Sequence, residues 1–454
     1  MPWYLWWNFC YACLIVIVSP VLIYRVLVHG KYRSGWSQKL RGMLPQLTDD
    51  RPTLWLHAVS VGEVLQLEPV IGELRKSLPD WRFVITTTTT TGLQVARQKY
   101  PDDIVCFAPL DFSWSIRRAL QRIKPSAIML VELEIWPNLL AIAELHDIPV
   151  LLINGRVSAN SYRNYRRVRP LISKTFGRLR LAAAQNAEYA ERLFDLGVPR
   201  KRLHVTGSIK FDRCDNERFA PLTRELRECF GIRPGETVFI AGSTQHPEEK
   251  IALTTYLELL PRYPSLRLIL VPRHRERFEE VARMVEQHNV PLIRRSSPPH
   301  VDMQRATGVP PIGLLDTLGE LSACWGLADI AFVGGSLTHR GGQNMIEPAS
   351  YGAAILFGPH THNFKDVVEM LLAHQAAKVV WDEGDLRQAM GQLLEEPALA
   401  REMGARAKEL VHKQQGATSR TLELILPICC DSQKNRGGGD CFSERKPLLS
   451  NRAA

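Results

Sequence analysis

In the stretch "LWLHAVSVGEVLQLEPVIGELRKS" an apolar, strand-like run ends, and Leu67, Val70, Ile71 and Leu74 then recur at helical spacing. Glu63 falls at the joint, three residues after Ser60. A carboxylate there has two roles open to it. It can complement the positive end of the helix dipole, or it can accept a proton from a substrate. The roles are compatible, because a helix N-terminus favours the ionised form, which is the form a general base needs. Gly62 beside it would let the backbone turn and leave space next to the carboxylate.

Other stretches place chemistry at comparable joints. In "VELEIWPN", Glu132 and Glu134 follow the apolar run 127–131, next to Trp136 and Pro137. Two acids beside an indole at a strand end either form a solvated loop or sit in a functional crevice. In "TVFIAGSTQHPEE", small residues Gly242, Ser243 and Thr244 separate a strand from a helix, so an anion could approach the helix start. The alternative there is an ordinary cap, with Glu248 and Glu249 complementing the dipole. No Gly-Lys-Ser/Thr follows, so this is not a Walker loop. In "LILVPRHRERF", Pro272 and Arg273 end a strand, and the planar guanidinium of Arg273 suits a phosphate. The stretch 329–364 is densest. Gly334, Gly335, Gly341 and Gly342 surround Ser336, and Asn344 to Glu347 then open a helix whose acid could accept from ribose hydroxyls. His360 and His362 have no third ligand at metal spacing, so no metal site is expected there.

These joints require strands alternating with helices. Apolar runs at 53–59, 82–87, 104–108, 126–131, 149–153, 180–185 and 203–207 form one series, with helical patterns such as 62–77 and 188–196 between them. A second series runs at 237–241, 266–271, 290–294, 329–333, 354–357 and 377–381. Such alternation predicts an α/β protein with two doubly wound parallel sheets, whose ligands sit at the carboxyl ends of strands. Two such domains would offer a cleft for two substrates. The expected boundaries are a first domain over 25–210, a charged linker over 211–235 ending in Pro234-Gly235, a second domain over 236–426, and a Gly-rich, charged tail over 427–454 read as disordered. The run Thr86–Thr91 reads as a loop whose hydroxyls cap a helix.

Residues 1–24 carry no charged side chain, and the cations Arg25, Lys31, Arg33, Lys39 and Arg41 follow. This length and flank predict an N-terminal membrane anchor with the remainder on the cytoplasmic side. Trp3, Tyr4, Trp6 and Trp7 read as interfacial aromatics. A cleaved signal peptide fits poorly without a basic n-region or a small-residue cleavage site. Over the 454 residues the net charge is +10, with a pI of about 9.2. That balance favours acidic partners without choosing among phosphates, anionic lipid and nucleic acid. The basic run 156–180 reads as a solvated face or as a grip on anionic headgroups. Nine cysteines without a spacing framework read as reduced thiols.

Taken in order, "HAVSVGE", "TTTTTTG", "VELEIWPNL", "INGRVS", "AAQNAEYAERLFDLGV", "VTGSIKFD", "AGSTQHPEE", "VPRHRERF", "GELSACWGLADIAFVGGSL" and "GGQNMIEPASYGAAILFGPHTHNF" resemble the 3-deoxy-D-manno-octulosonic acid (Kdo) transferases of lipid A biosynthesis. The pieces span roughly residues 25–400. The resemblance implies a GT-B fold, two Rossmann-like domains facing across a cleft. It implies transfer of Kdo from CMP-Kdo to the glycolipid lipid IVA, with inversion and without a metal, at the cytoplasmic face of the inner membrane; no nucleic acid is involved. Carried over by motif, Glu63 matches the general base that takes the proton of the acceptor 6′-hydroxyl. Glu132 and Lys210 match transition-state stabilisers. Pro272, Arg273, the turn Leu318-Gly319-Glu320, and Asn344, Met345, Ile346 and Glu347 match CMP-binding positions, with Ser243 and Thr244 cradling the phosphate. Two departures stand out. Gln245 occupies a position that is often histidine in the family, with His246 following, and Ala353-Ala354 replaces a frequent Lys-Pro.

Two other readings of the sequence remain open at this point. A GT-B transferase using a UDP-sugar would also use Glu347 for ribose, although the pairing of "SVGE" with "VELEIWPN" is particular to the Kdo family. A non-catalytic, membrane-tethered lipid-binding module would have no need of Glu63.

Overall fold

The computed structural model describes residues 6–13, 15–17, 19, 35–213, 217–297 and 309–434. The chain divides into two compact units, Met1–Arg213 with Gln415–Ala454, and Cys214–Gln414.

The first unit is built on seven strands: β1 (Thr53–His57), β2 (Arg82–Thr87), β3 (Ile104–Phe107), β4 (Ala127–Val131), β5 (Val150–Gly155), β6 (Leu181–Ala184) and β7 (Leu203–Val205). They form one parallel sheet in the order β3-β2-β1-β4-β5-β6-β7. Helices cover both faces, so the central strands read as unbroken apolar runs; every side chain of β4 is buried. Chain order reverses between β1 and β4, which pair from Leu54↔Ala127 to His57↔Leu130. A crevice at the carboxyl ends of these two strands is the expected ligand position of such a sheet.

The second unit repeats the plan with β8 (Thr237–Thr244), β9 (Leu266–Pro272), β10 (Leu292–Arg294), β11 (Ile312–Leu314), β12 (Ile330–Val333), β13 (Ala354–Phe357) and β14 (Ala377–Val379). Its parallel order is β10-β11-β9-β8-β12-β13-β14, with the reversal between β8 and β12. Both parallel α/β sheets were expected from the alternation of elements. β11 was not: three residues between prolines and a loop give too short a pattern to read.

The expected linker, 211–235, begins in a 3-10 turn, Ile209–Arg213, and carries a helix, Pro221–Cys229. Residues 415–426 do not belong with the second unit, and 427–434 are not disordered. They form the helix Ala417–Lys434, which groups with the first unit. Its Ala417, Leu422, Ile425 and Cys429 enter the apolar cluster of Leu67, Val70, Ile71 and Leu74. The carboxylate of Asp212 holds the start of this helix by accepting from the backbone N–H groups of Gly416, at 2.7 Å, and Thr418. The remainder of the expected tail, 435–454, lies outside the described residues.

The membrane anchor expected over 1–24 falls in part outside the described residues. Residues 1–5, 14, 18 and 20–34 lie outside the described residues. Among the described residues no helix is long and apolar enough to cross a membrane. The described part of the segment is helical, with one edge latched to the first unit. Asn8 bonds Ser113 and Asn138, and the Tyr11 hydroxyl donates to Asp111 at 2.9 Å. Trp7 packs on the core of that unit, while Phe9, Val16 and Ile17 stay exposed.

Candidate active site

Glu63 lies in the first turn of the helix Val61–Ser77, directly after β1. Ser60 is the N-cap. Its hydroxyl donates to Glu63 Oε1 at 2.9 Å, and the N–H of Val59 donates to Oε2 at 2.9 Å. This is a capping-box arrangement, which fixes both carboxylate oxygens relative to the turn. Val59 is held in turn: the hydroxyls of Thr87, Thr88 and Thr89 donate to its carbonyl at 2.8, 3.3 and 3.4 Å. Of the threonine run, Thr89 caps the next helix through the N–H of Gly92, as expected, while Thr87 and Thr88 hold the loop that carries Glu63. Gly62 has no left-handed backbone angle, so the chain does not need glycine to turn there. A Cβ on it would meet only Ser60 Oγ, at 3.8 Å, so open space lies beside Gly62 itself.

Glu132 follows β4, across the sheet's reversal point, with a left-handed φ of 59°. Its N–H donates to the carbonyl of Ile153, which ties the turn to β5. Lys210, in the 3-10 turn Ile209–Arg213, brings its Nζ to 3.6 Å from Glu132 Oε1. Gln66, one helical turn beyond Glu63, donates to the same oxygen at 3.5 Å and accepts from Asn154 Nδ2 at 2.8 Å. Asn154 is fully buried and also accepts from the N–H of Ile209. Glu132 and Lys210 thus join one polar network with Gln66 and Asn154, and Glu63, bonded to its own turn, feels the charge of Glu132.

The electrostatics differ from expectation in sign. The helix terminus does not hold Glu63 below the usual carboxylate range. Burial raises its pKa, the N–H of Val59 offsets part of this, and the charge of Glu132 adds to the rise. Glu134 is pushed up to about 7, first by burial and then by the charge of Glu63. Sequence reading noted Glu134 but did not place it in the site; its burial was the missing information. Gln66 and Asn154 were also missed. Their signal was a polar residue on the apolar face of the Glu63 helix and another inside the run Val150–Gly155.

In the second unit, β8 bulges between Gly242 and Thr244, with Ser243 at φ 52°. Thr244 is fully buried and its hydroxyl donates to the carbonyl of Val271 at 3.4 Å, so a ligand would meet its backbone rather than its side chain. Pro272 is buried at the end of β9. Arg273 is exposed, its N–H donating to the carbonyl of Thr244 at 2.9 Å. Leu318 is 69% exposed, and Gly319 turns the chain at φ 90°. Glu320 pairs with Arg295 at 2.8 Å and accepts from Thr317, so its carboxylate is already engaged. Asn344 caps the turn into Ile346–Ser350: its Oδ1 accepts from the N–H of Ile346 at 3.1 Å, and its Nδ2 donates to Glu347 at 2.9 Å. Met345 and Ile346 are buried supports.

Glu248 and Glu249, read as dipole partners in the alternative of an ordinary cap, are both buried. The carboxylate of Glu248 spans the reversal point of this sheet. It accepts from the N–H groups of Gln245, Gly335, Ser336 and Leu337 at 2.7–3.0 Å. Glu249 pairs with Arg277 at 3.0 Å. The rings of His339 and His360 lie 4.1 Å apart between centroids.

A sequence family described as 3-deoxy-D-manno-octulosonic-acid transferase (kdotransferase) matches residues 33–213. A 3-deoxy-D-manno-octulosonic acid transferase of Haemophilus influenzae is 32% identical over 430 residues, covering 93% of this chain and 98% of that protein. One of Bordetella pertussis is 33% identical over 392 residues, covering 82% and 86%. Among solved structures, the UDP-GlcNAc 2-epimerase of Neisseria meningitidis bound to UDP-GlcNAc aligns with a TM-score of 0.55 over 83% of this chain and all of that one. At 17% identity this is a likeness of fold. With a matching family domain, relatives at this identity along almost the whole length, and two parallel α/β units of this kind, the chain belongs to the 3-deoxy-D-manno-octulosonic acid transferase family of glycosyltransferases.

Proposed function

We propose that the protein moves Kdo from CMP-Kdo to the 6′-hydroxyl of lipid IVA in lipopolysaccharide core biosynthesis, with inversion and without a metal, at the cytoplasmic face of the inner membrane. The observation that carries this reading is the convergence of Glu63, Glu132 and Lys210 at the reversal point of the first sheet. Glu63 accepts the proton of the acceptor hydroxyl. The freed oxygen forms the new bond to the anomeric carbon as the bond to the CMP phosphate breaks on the opposite side. A base whose pKa is raised towards neutrality accepts a proton more strongly while still being available ionised. Lys210 offsets the charge of Glu132 and offers positive charge to the transition state. Asn344 and Glu347 are supported for ribose recognition by their mutual hydrogen bond at the end of the glycine-rich loop.

A membrane surface is supported by the helices Ala159–Arg167 and Arg169–Phe176. They expose Val168 and Leu171 among Arg166, Arg167, Arg169 and Lys174, an apolar and cationic mixture suited to anionic headgroups.

The test is purified protein with CMP-Kdo and lipid IVA in the presence of EDTA. The reading predicts CMP release and an acceptor heavier by Kdo. CMP release that stops on chelation, or a requirement for a UDP-sugar, would contradict it.

A further inference from the structure

Gln245 meets a second glutamine in the structure. Gln245 follows β8, and Gln343 lies in the loop after β12. These strands are neighbours at the reversal point of the second sheet. The two side chains converge on Gly335. A Cβ built on that residue would stand 3.1 Å from Nε2 of Gln343 and 3.4 Å from Nε2 of Gln245. Gly335 has a φ of 66°, so a side chain is disfavoured there by the backbone as well as by space. The N–H of Gly342 donates to the carbonyl of Gly335 at 2.8 Å and closes the loop on itself. Both glutamines are half-buried. Neither side-chain amide hydrogen-bonds another of the described residues, whereas the nearby polar groups Glu248, Ser336, Asn344 and Asn363 are all bonded.

We propose that Gln245 and Gln343 read the hydroxyl groups of the donor's sugar. This deepens the donor assignment above and rests on it. Two facts select hydroxyls over an anionic group. The backbone N–H donors of residues 335–337, which would otherwise bind an anion, are already occupied by the buried carboxylate of Glu248. That carboxylate lies against the same loop, 2.8 Å from a Cβ built on Gly334, and opposes a second negative charge beside it. A primary amide carries both a donor pair and an acceptor, the complement of a hydroxyl that donates and accepts at once. An eight-carbon sugar acid is rich in such groups, and the pair would recognise them with no dependence on protonation near neutral pH.

The test measures binding of CMP and of CMP-Kdo separately, together with steady-state kinetics, for Gln245→Leu, Gln343→Leu and Gln343→His. Each leucine variant is expected to weaken donor binding and raise its KM about tenfold, while CMP affinity and kcat stay near wild type. Gln343→His keeps a neutral donor and an acceptor and is expected to lose less than Gln343→Leu at pH 8. Equal loss of CMP and CMP-Kdo affinity would make the pair a structural support of the loop and overturn the proposal. A loss for Gln343→His as large as that for Gln343→Leu would show that no hydroxyl is read there and overturn it too. Should the wild type bind no CMP-Kdo at all, it is the donor assignment that falls.

Discussion

Lys210 Nζ lies 3.6 Å from Oε1 of Glu132, the carboxylate that follows β4 in a left-handed turn. Both side chains are about three-quarters buried, so the pair is screened less than a surface ion pair and more than a core one. Its position beside the raised carboxylate of Glu63 makes it part of the site's electrostatics rather than a surface ornament.

Lys210→Met should therefore lower kcat by about 10²–10³-fold, the scale typical of removing one transition-state stabiliser. Unfolding by denaturant should show a folded protein. A variant with unchanged kcat would remove Lys210 from the chemistry.

Glu132→Gln removes a charge that raises the pKa of Glu63. The general base must be ionised to work, so kcat/KM rises with pH through the pKa of Glu63. The limb of that profile should sit above an ordinary carboxylate's in the wild type and move to lower pH in the variant. A full pH profile of both proteins checks the direction.

Glu134 binds its proton more tightly folded than unfolded, since burial pushes its pKa up to about 7 from 4.5. The folded state holds the extra proton in that window, so stability falls as pH rises from about 4.5 to about 7. Glu134→Gln should thus be more stable than wild type at pH 8, by about 2 kcal/mol after discounting partial exposure, and indistinguishable from it near pH 4. Urea titrations at the two pH values read this directly.

Gln66→Ala leaves the buried Asn154 amide without its Gln66 acceptor and Glu132 with Lys210 but without the Gln66 amide. A cost of about 1–3 kcal/mol in unfolding free energy is expected, together with a loss of kcat that Gln66→Glu does not restore. Stability loss with full activity would separate the network from the site.

Much of this was legible in the chain. β4 and β13 are apolar runs bounded by turn residues, and both appear within a residue of the expected limits. The helix carrying Glu63 declares itself through Leu67, Val70, Ile71 and Leu74, all buried. What could not be read was long-range polar pairing. Glu248 looks like a dipole partner until the loop after β12 is folded over it. Asn154 looks like the end of a strand until Gln66 arrives from another element. The sign of the Glu63 shift failed for the same reason: the helix terminus is a local feature, whereas burial and the charge of Glu132 come from elsewhere in the fold. The helix Ala417–Lys434 was lost because Pro427 and a polar sequence beyond it resemble a tail, although its apolar stripe packs on the first unit.

The central claim is that Glu63 is the proton acceptor. The most direct measurement is turnover by Glu63→Gln with CMP-Kdo and lipid IVA, beside CMP binding and thermal unfolding of the same preparation. The account predicts a loss of about 10²–10⁴-fold in kcat with CMP affinity and folding retained. Turnover at the wild-type rate by that folded variant would contradict it.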